Sequence, residues 1–176
     1  MRLLGIAACV VVLVPVGVRA QSGRGAPTGV KKDIIFQMED AETKLVALAN
    51  AIPTAKFAWR PNADVRSVSE VFVHIAAENI AIPPSAGATA SATKVPENAE
   101  KAVTDKAAII DLLKKSFVYA KEAVLSLPES QMDAGADYFG TPMSKRGIYF
   151  AVAVHGHEHL GQLIAYARSN GIKPPW

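Results

Sequence analysis

The chain has 176 residues with 19 basic and 16 acidic side chains, a formal charge of +3, four histidines and a single cysteine. Its length suits one domain with a single core. No basic run with interleaved aromatics occurs, so nothing points to a nucleic-acid partner and none is expected.

Residues 1–20 read as a secretory signal peptide. Arg2 gives a positive start, Leu3 to Val18 are almost all apolar, and Val18-Arg19-Ala20 sets up cleavage before Gln21. The segment is too short for a membrane span. The rival reading is lipid attachment at Cys9, after Ile6-Ala7-Ala8, but only five residues precede that box. Cleavage after Ala20 removes Arg2, Arg19 and Cys9. It leaves 17 basic against 16 acidic residues, with no thiol for disulfides, cysteine-zinc sites or cysteine nucleophiles. The mature chain is expected to be exported, periplasmic or secreted, with no stable membrane span.

Residues 21–30 are rich in Gly, Ser and Pro and read as a flexible tether, leaving 31–176 as the folded domain. From Asp33 to Ile52 apolar residues recur at three- and four-residue steps, the mark of an amphipathic helix ended by Pro53. Ser67-Val68-Ser69-Glu70 is a capping box that starts a second helix, running to about Ile80 before Pro83-Pro84. Pro83 to about Val103 is long and rich in small residues; it implies a crossover, or a loop lining a site. Thr104-Asp105 then caps a third helix carrying Ile109, Leu112, Leu113, Phe117 or Ser116, Ala120, Val124 and Leu127, ended by Pro128. A second irregular stretch, Glu129 to Pro142, leads to a fourth helix from about Ser144 to Ser169, stopped by Asn170-Gly171. No segment alternates with period two, so no strand is expected. The fold class is all-α, a four-helix bundle with long connections between helices 2 and 3 and between helices 3 and 4.

Three histidines crowd the fourth helix. At about 100° per residue, Ile148, Val152, His155, His159, Gln162 and Tyr166 share one stripe, widened by Ala151, Leu163 and Ala165. His155 and His159 are thus one turn apart on the core side, where two imidazoles can bind one cation. His157 points the other way, toward solvent. His74 flanks the face of the second helix made by Val68, Val71, Phe72, Ile75 and Asn79. Three imidazoles from two helices would leave positions open for water or substrate, the pattern of catalytic zinc; nickel, iron or cobalt also accept it. The alternative is a set of core histidines satisfied by hydrogen bonds. For the pair, that alternative must bury polar nitrogens that lack obvious partners.

Two familiar motifs fail. An H-E-x-x-H pattern would need Glu at Gly156 or His at Gly161, which leaves Glu158 outside that geometry. The Glu-x-x-His of di-iron bundles fails at Val71, Val152 and Gly156.

The segment Ser67 to His74, with His155-x3-His159-Leu160-Gly161-Gln162-Leu163, resembles the DinB-like superfamily of metalloenzymes. Phe57-Ala58-Trp59-Arg60-Pro61 and the terminal Tyr166-x-Arg168-x-Asn170-Gly171-x-x-Pro174-Pro175 extend the likeness over about Lys31 to Trp176. The resemblance implies a four-helix bundle holding a divalent metal, zinc or nickel, on His74, His155 and His159. It implies close helix packing at Gly161, and for Gln162 either orientation of a ligand or a core hydrogen bond. Members resembling it activate a thiol or water at the metal, as transferases, isomerases or hydrolases. Since low-molecular-weight thiols are mainly cytoplasmic, an exported chain points to metal-activated water and a small-molecule substrate. Glu78 is a candidate base or ligand-orienting group, and Asn79, Asp137 and Tyr138 are candidate pocket residues. The alternatives are a thiol-transferase-like enzyme and a non-catalytic exported bundle that binds a metal or ligand; association into a homodimer stays open.

Overall fold

In the computed structural model the described residues are 29–176; the expected signal peptide and most of the expected tether lie outside them. Among the described residues five α-helices, α1 (Gly29–Ala51), α2 (Val68–Ala81), α3 (Ala99–Ala102), α4 (Lys106–Ser126) and α5 (Lys145–Ser169), make the protein mostly helical. Two four-residue strands, β1 (Gly135–Tyr138) and β2 (Thr141–Ser144), pair antiparallel with Gly135 opposite Ser144. Among the described residues no helix is long and apolar enough to cross a membrane.

The hairpin corrects the expectation of a strand-free chain. Four residues per strand are too few for alternation to show, and Pro142 within β2 hides the strand signal. The turn is set by Phe139 and Gly140, both at positive φ, 50° and 85°, as a two-residue hairpin with right-handed twist requires. Asp137 Oδ2 accepts from the Gly140 amide at 2.9 Å.

The helix ends follow local chemistry. Ser67 Oγ accepts from the Glu70 amide at 3.3 Å while Glu70 Oε2 accepts from the Ser67 amide at 2.8 Å, so the capping box is complete. Asp105 and Ser144 cap α4 and α5 through the amides of Ala108 and Gly147. Gly171 at φ 72° closes α5, with Ile172 and Gly171 amides donating to Ala167 and Arg168 carbonyls, a Schellman ending. α1 starts four residues before the apolar pattern does. Its first turn holds Lys31, buried, whose ammonium donates to the Leu127 carbonyl just past the end of α4; a lysine stem fills an apolar place there.

Four long helices enclose one core. Ile34, Met38, Leu45 and Leu48 of α1 meet Phe72 and Ile75 of α2, Leu113 and Phe117 of α4, and Ile148 and Leu163 of α5, all at 1% exposure or less. Each such side chain contributes about 1.5–3 kcal/mol by leaving water. The packed pairs are α1 with α4 and α5, and α2 with α4 and α5. Lys106, at the start of α4, donates to the Ile52 carbonyl just past the end of α1. α2 and α4 therefore both set out from that end, and residues 82–105 must carry the chain back between them. That return path contains α3, whose position matters below.

Candidate metal centre

Two packed helices bring three imidazoles together. His74 on α2 meets His155 and His159 on α5 with ring centroids 5.0 and 4.9 Å away, and the α5 pair is 4.5 Å apart. One nitrogen from each lies within 4.8 Å of the others. His74 Nε2 and His155 Nε2 are 3.2 Å apart. Two nitrogens each about 2.0–2.1 Å from one tetrahedral ion would stand about 3.3 Å apart, so this spacing fits a shared cation.

The outer nitrogens are held by partners that sort the tautomers. Glu100 Oε1 lies 3.1 Å from His74 Nδ1, and Gln162 Oε1 lies 2.7 Å from His159 Nδ1. A carboxylate or amide oxygen only accepts, so both Nδ1 atoms donate and both Nε2 atoms keep a lone pair. Gln162 in turn donates to Tyr166 Oη at 2.8 Å, and Tyr166 packs edge-on against Trp59 at 5.3 Å. His155 Nδ1 is buried without a hydrogen-bond partner. Burial, then the neighbouring His159, His74 and Arg66, pushes the His155 pKa down to about 4. Burial, then Arg66 and His159, also lowers that of His74, against the opposing pull of Glu100 and Glu78. Neutral imidazoles are the form a cation needs.

A surface cleft of about 740 Å³ opens beside the imidazoles, lined by Arg60, Arg66, Glu100, Glu158, His159 and Gln162. Its floor is pinned by Glu70, which accepts from Arg60 at 2.9 Å and Lys101 at 2.6 Å. Burial raises the Glu70 pKa, but the Lys101 and Arg60 bonds and the Ser67 amide prevail and lower it to about 2. The connector before α2 is fixed to its first turn by Val68 and Ser69 amides donating to Trp59 and Phe57 carbonyls.

Several sequence expectations move. The histidine stripe is one rim of the buried surface of α5, rather than its middle. The buried positions Ile148, Tyr149, Val152, Ala153, Gly156, Leu160, Leu163, Tyr166 and Ala167 span an arc of about 140° at 100° per residue. Ala165 is exposed. His157 lies on the opposite rim, half-buried against α1, with Nε2 3.1 Å from the Gln37 carbonyl; it takes no part in the trio. Gly161 is exposed, and a Cβ there would meet nothing within 4 Å, so it serves no close helix contact. Asn79 is fully buried and donates to Ser116 Oγ at 3.2 Å, in the α2–α4 seam. Asp137 and Tyr138 belong to β1 and do not line the cleft. Glu78 lines a smaller pocket with His74, Glu97 and Glu100. The sequence reading missed Glu100 and Arg66. Glu100 lies in the crossover and Arg66 in the connector before α2, where no periodicity singles them out.

The sequence profile of the DinB superfamily matches residues 37–163. Among solved structures, the chain is similar to a DinB-like protein from Bacillus cereus, at 17% identity and TM-score 0.69 over 84% of this chain and 94% of that one. It is also similar to a DinB-like protein from Bacillus subtilis, at 20% identity and TM-score 0.63 over 82% and 96%. No curated protein matches it.

Proposed function

The chain belongs to the DinB superfamily, and from that premise we propose that it is a metal-dependent enzyme whose His74, His155 and His159 hold one divalent cation, zinc or nickel. The observation that carries the reading is the convergence of the three imidazoles within 4.8 Å beside the cleft of about 740 Å³. Three nitrogen ligands leave room for water or substrate. A cation bound there supplies Lewis acidity, which activates water or polarises a carbonyl for hydrolysis of a small substrate. The protein's own part is to orient the rings through Glu100 and Gln162, and to receive the substrate in the cleft. In this reading the four long helices form the four-helix bundle of the superfamily. The leader at residues 1–20 supports an exported enzyme.

Purified protein analysed for bound metal tests it. About one zinc or nickel per chain is expected, and His155→Ala is expected to lose it. No bound metal at neutral pH, even after supplementation with both ions, would overturn the metal site. Metal-dependent turnover in a screen of esters, amides and thiol conjugates separates hydrolysis from thiol transfer and from simple binding.

A further inference from the structure

We infer that Glu100 is a positioning residue for the histidine site, anchored by Arg66, and that the crossover segment thereby becomes part of the metal centre; this rests on the metal reading above. Glu100 sits on α3, in the return between α2 and α4. One carboxylate oxygen lies 3.1 Å from His74 Nδ1, and the other accepts from Arg66 Nε at 2.8 Å. The two oxygens are thus used on different partners, which fixes the plane of the carboxylate. Arg66 comes from the connector just before α2, so the carboxylate is gripped from two segments of chain.

The chemistry follows from what a carboxylate can do. It only accepts, so it selects the His74 tautomer with hydrogen on Nδ1 and turns the Nε2 lone pair toward His155 and His159. A carboxylate behind a liganding histidine also raises the basicity of that ring and locks its orientation. His155 lacks any such partner and His159 has a neutral amide. Among the three rings His74 alone is backed by a charge. Glu100, with Lys101, lines both the large cleft and the smaller pocket that holds Glu78 and Glu97. It is therefore wall as well as support.

The test compares wild-type protein with Glu100→Ala, Glu100→Gln and Glu78→Gln, using zinc affinity by chelator competition and the His74 tautomer by ring-nitrogen NMR in metal-free protein. Glu100→Ala should raise the zinc Kd roughly 10- to 100-fold and lose the fixed Nδ1–H form. Glu100→Gln, which keeps shape and an acceptor oxygen, should fold as wild type, retain the tautomer and show a smaller rise in Kd. Glu78→Gln, which removes a charge that acts on His74 without bonding its Nδ1, should leave the tautomer unchanged and raise the zinc Kd less than Glu100→Ala. An unchanged zinc Kd in Glu100→Ala, or a His74 tautomer indifferent to position 100, overturns the assignment. Wild-type protein that binds no zinc or nickel overturns the metal reading instead, and the tautomer measurement then still decides the contact.

Discussion

Gln162 Oε1 accepts from His159 Nδ1 at 2.7 Å, one helical turn along the same helix. The sequence left two roles open for this glutamine, and its bond places it behind a histidine. Gln162→Leu keeps the volume roughly but removes the acceptor. We expect zinc affinity to fall about 10-fold or more, with the melting temperature of metal-free protein changed far less. Chelator competition alongside a thermal melt checks both halves.

Cation binding by folded protein alone should appear as stability. At a free zinc concentration 100 times Kd the gain is about 2.7 kcal/mol, read as a rise in the urea midpoint. His155→Ala should abolish the gain. A zinc-induced shift that survives in that variant would place the ion elsewhere.

Acid tolerance should depend on Glu70. Its carboxyl, held at about 2 against an ordinary 4.5, contributes stability that is present above the unfolded value and lost as pH falls through the folded one. Two and a half pH units correspond to at most about 3 kcal/mol. Glu70→Gln should therefore cost about 2–3 kcal/mol at pH 7, and the difference from wild type should shrink between pH 4.5 and 2. Urea melts across that range measure it. A gap that stays constant with pH would mean that the ionised carboxylate, with its Lys101, Arg60 and Ser67 bonds, does not carry the effect.

Two helical glycines of α5 invite alanine. A Cβ at Gly156 would meet Ala41 Cβ at 3.5 Å and Phe117 Cζ at 3.8 Å, ordinary contact; at Gly161 it would meet nothing within 4 Å. Each Gly→Ala change should stabilise the protein by about 0.5–1 kcal/mol through helix propensity. Equilibrium unfolding reads the sign directly; a loss at Gly156 would show that α1 and α5 approach too closely to admit a methyl group.

How much of this could be read from the chain alone depended on the range of the information. Ser67 with Glu70, and Asn170 with Gly171, are signals three residues apart or closer, and both ends formed as their chemistry required. Spacing placed His155 and His159 together because a helix fixes which side chains are neighbours. It erred about the middle of the face because α5 is buried against two helices, which widened the covered arc well beyond one stripe. Ala165 fell outside that arc, and His157 fell at its far edge against Gln37. Glu100 was out of reach for a different reason. It meets His74 only because a crossover with little periodicity folds back over α2, and nothing at positions 96–102 records that path. The hairpin escaped because four-residue strands with Pro142 inside carry almost no pattern.

The partners of the proposed centre are widely spread along the polypeptide: His155 is 81 residues from His74, and Glu100 is 26 from it. A growing or threaded chain presents the two α5 imidazoles only after His74 and Glu100 have been delivered. Two imidazoles on an unformed helix grip an ion weakly, and a complete site rarely exists before folding. In the metal reading, loading thus waits for α5 to dock. In that reading the compartment in which docking happens, with whatever ions it offers, would decide which metal the protein acquires.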